Sequence, residues 1–316
     1  MQRRDFIGSV AGLAIGAAIS TSGGAAAEAR DEVADFAARR RLVNTPFGKI
    51  ACVERGKGPA ALFIHAWPLN SFEWRGVLGP LSTIRRCIAP DVMGLGYSEI
   101  PDGQDLSPAS QADMLASLLT ALDVIQADIV ANDSGGLIAQ LFAARHPERV
   151  RSLLLTNCDV DRDNPPPSFL PVVQAAKAGV LADPVFRQML SDIAVARSPR
   201  GLGAVYADPE ALTEATVEYY LRPLLSTPLR RDQFHRYTIT LGHNDLIALQ
   251  PKLRQLSAPV RIVWGAADTV FDKASPEVLD GTFPNSHGVR RIPDAKGFFP
   301  EERPEIIVEE ACRLWT

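Results

Sequence analysis

Ala127-Asp128-Ile129-Val130-Ala131-Asn132-Asp133-Ser134-Gly135-Gly136-Leu137 is the stretch whose reading settles the fold. Residues 127–131 form a short, mostly apolar run, as expected for a strand buried on both faces. Leu137 to Arg145 reads as a helix. The chain must reverse between them within a few residues. A strand-to-helix turn sharp enough to push one side chain out above a sheet needs small residues two before and two after its tip. Ala131 and Gly135 meet that need if the tip is Asp133. Ser134 does not fit as the tip, because Asn132 would then stand two before it. The plainer alternative is a strand–turn–helix in which Asp133 caps the helix. The stretch alone leaves both open.

Working outward, Ala61–Ile64, Arg85–Pro90 and Val150–Thr156 read as further strands in the first half of the chain. Val260–Trp264 and Gly288–Ile292 do so in the second. Pro304–Leu314 reads as a terminal amphipathic helix. Strands alternating with helices predict an α/β fold with a mostly parallel twisted sheet flanked by helices. The segment from about 159 to 249 lacks strand signals. It opens on Asn164-Pro165-Pro166-Pro167 and continues through helical stretches such as Leu170–Ala178 and Leu212–Leu221. A helical lid inserted between two halves of one sheet is the expected arrangement.

Three more segments fall into line with the elbow. His65-Ala66-Trp67-Pro68 follows the strand at 61–64, and Asp91 to Ser98 follows the strand at 85–90. Trp264-Gly265-Ala266-Ala267-Asp268 closes the strand at 260–264. In order and spacing the four segments resemble the α/β-hydrolase superfamily, over about residues 42–316 outside the insertion. An Asp at the elbow is similar to the branch that holds haloalkane dehalogenases and epoxide hydrolases. The resemblance implies Asp133 as nucleophile and Asp268 as supporting acid. It also implies the backbone N–H groups of Trp67 and Ser134 as oxyanion or halide donors. Asp159 and Asp161 hold the alternative acid position used by some relatives, and His65 has a structural place in its loop.

One departure stands out. The family's catalytic His precedes a Phe in the last loop, which here reads Asp294-Ala295-Lys296-Gly297-Phe298-Phe299-Pro300. The expected His position is Gly297. Of the five histidines (His65, His146, His235, His243 and His287), His235 and His243 fall in the insertion and are candidates to face the site. Tyr219 and Tyr220 are candidate lid donors, with Tyr206 and Tyr237 beside them.

The chemistry implied is hydrolysis of an alkyl halide or epoxide. An ionised carboxylate attacks an sp³ carbon without a base and forms an alkyl-aspartyl ester. A second step hydrolyses the ester and ordinarily uses a His. Two alternatives need no His: a lyase with Asp133 as general base, and a binding protein that has lost turnover. The expected ligand is a small apolar or weakly polar organic molecule, with no cofactor and no metal. A net charge of −4 and 7% aromatics argue against nucleic acid. None of the four cysteines makes a C-x-x-C pair, which argues against a zinc site. They read as buried small hydrophobes.

Arg3-Arg4-Asp5-Phe6, a mild apolar run to Ile19 and Ala25-Ala26-Ala27 follow in order at the N-terminus. They resemble a twin-arginine export signal over residues 1–29, ahead of a domain at 30–316. The implied location is the periplasm or outside the cell, with no membrane span once the signal is removed. Replacing Arg3 and Arg4 by Lys should hold the precursor in the cytoplasm. Cell fractionation showing unchanged export would refute the signal.

Overall fold

A computed structural model describes residues 15–316. Residues 1–14, including the arginine pair, lie outside the described residues. Eight strands form one sheet: β1 (Arg40–Thr45), β2 (Gly48–Arg55), β3 (Ala60–Ile64), β4 (Arg86–Pro90), β5 (Ala127–Asn132), β6 (Val150–Thr156), β7 (Val260–Gly265) and β8 (Ser286–Ile292). Their spatial order is β1-β2-β4-β3-β5-β6-β7-β8. The pairs β1/β2 and β2/β4 are antiparallel, and all others are parallel. The sequence reading anticipates β3 to β8 and misses the antiparallel pair. β1 reads Arg-Arg-Leu-Val-Asn-Thr and buries only Val43. An edge strand of that kind carries charge and little apolar signal. β3 and β5, by contrast, are buried at every residue.

The chain reverses its direction of travel across the sheet at β3. β4 lies on one side of β3, and β5 lies on the other, paired through Ala60–Ala127 to Ile64–Ala131. That switch opens a crevice beyond the carboxyl ends of β3 and β5, where α/β sheets place their ligands. The loop 65–68 after β3 and the turn at Asp133 after β5 border it.

Between β6 and β7 the described residues form helices and turns, with a single isolated bridge, Val160–Asp163. Local chemistry sets the helix starts. Thr213 accepts from the Thr216 amide at the head of Glu214–Leu225. Thr227 accepts from the Arg230 amide at the head of Pro228–Thr240, with Pro228 in the first turn. The insertion covers the crevice.

The N-terminal helix Ile15–Arg39 runs through Ala27 and past residue 29 without a break, so the boundary expected from sequence does not coincide with an element end. Alanine-rich sequence on both sides of that point favours continued helix. Its last turns join the fold. Phe36 is 1% exposed and meets Phe72 edge-on at 5.1 Å and Tyr219 at 6.3 Å. Among the described residues no single helix is long and apolar enough to cross a membrane. All four cysteines are unpaired, and three are buried. Phe36→Ala should destabilise the protein by about 3–5 kcal/mol, the usual cost of emptying a buried aromatic site. Urea denaturation reads it, and a loss below 1 kcal/mol would place the helix outside the cooperative fold.

Candidate active site

Asp133 is the tip of the turn between β5 and the helix Ser134–Arg145. Its backbone sits at φ 53°, ψ −127°, a left-handed region that non-glycine residues occupy only when their surroundings hold them there. Its side chain makes no capping hydrogen bond, so the plain capping alternative falls. Gly135 lets the helix start pass over β3. A Cβ there would stand 2.4 Å from the Ile64 carbonyl oxygen and 2.7 Å from that of His65.

The freed carboxylate turns toward the loop after β3, where the Trp67 amide donates to Asp133 Oδ1 at 3.0 Å. Burial pushes the Asp133 pKa up to about 6, while the Ser134 and Trp67 amides hold it down. Two amides therefore converge on this group. His65 only supports the loop. Its Nδ1 contacts the Ala66 carbonyl at 2.9 Å, and its Nε2 accepts from the Val92 amide at 3.0 Å. Burial lowers its pKa and keeps it neutral.

Asp268 lies behind Gly297 and is buried. It accepts from Asn157 Nδ2 at 2.6 Å and from the Val270 amide at 2.7 Å. Burial raises its pKa, and those donors oppose the rise. A Cβ at Gly297 would stand 3.2 Å from Asp268 Oδ2. A side chain at 297 would thus point at Asp268, the geometry expected of the missing His.

No insertion residue restores that His. His235 accepts from the Ala182 amide at 3.0 Å and is absorbed in holding the insertion together; His243 is exposed. Neither lines the cavity at Asp133. Tyr219 takes a hydrogen bond from Arg40 at 2.9 Å, and Tyr220 packs on Phe72 and faces Arg75. Both anchor the insertion to the N-terminal part of the fold, away from the cavity. These four candidates are corrected accordingly: their polar atoms already have structural partners or solvent.

The cavity above Asp133 holds about 360 Å³ and is mainly apolar, with Phe169, Val172, Phe186, Met189 and Phe298 in its wall. Trp67 stacks on Phe234 at 5.9 Å, with Phe169 and Phe186 edge-on. Its indole N–H is spent on Thr238 Oγ1 at 3.1 Å, so only its backbone N–H serves the site. Among the described residues, solvent-exposed Arg200 is the only cationic side chain lining the cavity. A smaller chamber of about 30 Å³ adjoins, walled by Asp133, Ser134, Asp159, Phe169 and Val270 among others. Among the described residues no cluster of His, Cys, Asp and Glu is suited to a metal ion.

Two important residues escaped the sequence reading. Asn157 bridges Asp268 and the backbone of Gly265, donating to its carbonyl at 3.1 Å and accepting from its amide at 2.7 Å. Glu73 is fully buried and ties both site loops together, accepting from the Ala66 amide and from Asn132 Nδ2, each at 2.7 Å. A polar residue closing an apolar strand was the available signal for Asn157; Glu73 gave none.

The family model described as alpha/beta hydrolase fold matches residues 59–304. The chain belongs to that family. It is 27% identical over 283 residues to haloalkane dehalogenase 2 of Mycobacterium tuberculosis, covering 84% of this chain and 91% of that one. It is 28% identical over 246 residues to cis-3-alkyl-4-alkyloxetan-2-one decarboxylase of Shewanella oneidensis, covering 74% and 75%. Epoxide hydrolase CorEH superposes with a TM-score of 0.69 at 20% identity, over 87% of this chain and 97% of that one. This likeness shows the shared fold.

Burial pushes the Glu73 pKa to about 8. A carboxyl whose folded pKa lies above its unfolded value binds more protons when folded, so its contribution falls as pH rises between the two. Stability should therefore decline from about pH 4.5 to pH 8. Glu73→Gln should flatten that decline by roughly 3–6 kcal/mol, measured by urea melts across the range. An unchanged slope would show that Glu73 titrates normally.

Proposed function

We propose that the protein is a hydrolase acting on an activated sp³ carbon, with Asp133 forming an alkyl-aspartyl ester. The observation that carries this reading is the Asp133 carboxylate itself, held at the tip of the elbow beside the Trp67 amide and open to an apolar cavity. It is ionised above about pH 6 and needs no base to attack. An ester carbonyl is a poor target for it, since attack there yields only an anhydride. The apolar wall suits a small hydrocarbon-like substrate held by burial of its surface.

Within that class an epoxide fits better than an alkyl halide. A departing halide needs desolvated N–H donors, and the Trp67 indole is committed to Thr238. A departing epoxide oxygen needs a proton instead, and a second carboxyl of raised pKa, Asp159, borders the site beside Asp133.

A second reading draws on the absent His and on the similarity to the oxetan-2-one decarboxylase. Asp133 opens a strained lactone at its sp³ carbon. The freed carboxylate then leaves as CO₂, the electron pair forms an alkene, and Asp133 departs as carboxylate. No water and no base enter that sequence. It would make the protein a lyase, with Asp133 as nucleophile rather than base. Operation outside the cytoplasm, through the N-terminal signal, belongs to the same proposal.

Incubation with styrene oxide, followed by peptide mapping, should place an adduct on Asp133, with phenylethanediol as product. Asp133→Asn should form neither. Adduct and product from Asp133→Asn at the wild-type rate would remove Asp133 from the reaction. A wild type that binds the epoxide and leaves it intact would be a binding protein.

A further inference from the structure

Asp159 is a buried acid that the steps above leave unused. It follows β6, where the insertion begins, and is 6% exposed. With Asp133 and Ser134 it walls the chamber of about 30 Å³, whose remaining sides include Phe169, Leu241 and Val270. A chamber of that size has room for about two water molecules. Asn164 Nδ2 donates to Asp159 Oδ1 at 2.8 Å, and Gln140 Nε2 holds its carbonyl at 2.8 Å. Ser134 Oγ and the Tyr237 hydroxyl are buried nearby without hydrogen-bond partners. Among the described residues no Lys, Arg or His pairs with Asp159. Its titratable neighbours are Asp133 on the elbow, Asp163 on its own loop, the Cys158 thiol and Tyr237 on the helix Pro228–Thr240.

We propose that Asp159 is the acid and base of this site, protonating the oxygen that leaves as Asp133 is alkylated and then deprotonating a water in the shared chamber that hydrolyses the ester. The inference rests on the reading of Asp133 as nucleophile. It deepens that reading by naming the group that stands in for the His absent at Gly297.

The charges favour each stage. Two carboxyls facing one small chamber do not both ionise readily. Burial and the Asp133 charge push Asp159 to about 8, while amides hold Asp133 near 6. Between those values Asp133 is the anion and Asp159 the acid. In the first step an Asp133 oxygen bonds to the epoxide carbon, the C–O bond breaks, and the oxygen takes the Asp159 proton. Esterification removes the Asp133 charge, so the repulsion that adds to burial in raising Asp159 disappears, and the carboxylate left by proton transfer is easier to keep. In the second step water adds to the Asp133 carbonyl carbon and gives a proton to Asp159. The tetrahedral intermediate expels the diol as an alkoxide, which takes the proton of the re-formed Asp133 carboxyl. The site returns to one anion and one acid.

Two probes separate these roles from a structural one. Styrene oxide needs a proton on its departing oxygen, whereas benzyl bromide loses bromide unaided. Rapid quench and peptide mapping follow the Asp133 adduct in wild type, Asp159→Asn and Asp133→Asn. In Asp159→Asn the styrene oxide adduct should form about 10²-fold more slowly or worse, the usual scale of acid–base help. The benzyl adduct should form at the wild-type rate and then persist, with hydrolysis slowed by a similar factor. Wild-type hydrolysis of the benzyl ester in Asp159→Asn would overturn the proposal and leave Asp133 standing. So would a wild-type protein that keeps its ester indefinitely. No Asp133 adduct in wild type from either probe would overturn both readings. If Asp159→Asn does not fold, the wild-type pH profile decides. Adduct formation from styrene oxide should rise through about pH 6 and fall through about pH 8, while that from benzyl bromide should only rise. The same high-pH limb for both probes, or for neither, would overturn the role of Asp159.

Discussion

The strained backbone of one residue organises the site. Asp133 stays at φ 53° because its neighbours leave no easier path. Its amide reaches the Asn157 carbonyl at 2.9 Å, and its carbonyl takes the Gly136 amide at 2.8 Å. Gly135 passes close to the Ile64 and His65 carbonyls at the end of β3, where no Cβ fits. Strain of this kind costs about 1–3 kcal/mol and is offset by the fully buried strands β3 and β5 that carry the turn. The same lock places the carboxylate opposite the Trp67 amide. Asn157 serves twice, its carbonyl fixing the elbow and its side chain fixing Asp268. A disturbance at the turn would thus reach the second acid through a single residue.

The central sheet was readable because strands buried on both faces write continuous apolar runs, as β3 and β5 do. The elbow was readable because its geometry admits only small residues at 131 and 135. The antiparallel edge was not, since β1 buries only Val43 of its six residues. The place of Asp268 beside position 297 followed from the order of loops along the sheet. The use of the insertion's histidines and tyrosines did not, because helix packing decides which face of each helix meets the cavity. Tyr219 illustrates this: a helical tyrosine of the insertion, it ends against Phe36 and Arg40 rather than above Asp133.

Glu73, Asp133 and Asp159 are acids whose pKa values all rise through burial, and amide hydrogen bonds oppose the rise at each of them. In this region the carboxylates are held by neutral dipoles, at Ala66, Trp67, Asn132 and Asn164. Neutral donors stabilise an anion less than a cation would, which leaves these groups able to exchange protons near neutral pH. A guanidinium in their place would fix them as permanent anions. Such cations stand at the opposite end of β5, where Arg85 and Arg151 pair with Asp128 at 2.8 and 2.9 Å.

The bond from the Trp67 indole to Thr238 Oγ1 also bears on the solution in which the protein works. Sites that cradle a departing halide with dry N–H donors also collect chloride from their surroundings, and that chloride competes with substrate. Here the indole is occupied by a hydroxyl of the insertion, and the nearby amides face a carboxylate that repels anions. Brine and fresh water should therefore look much alike to this cavity.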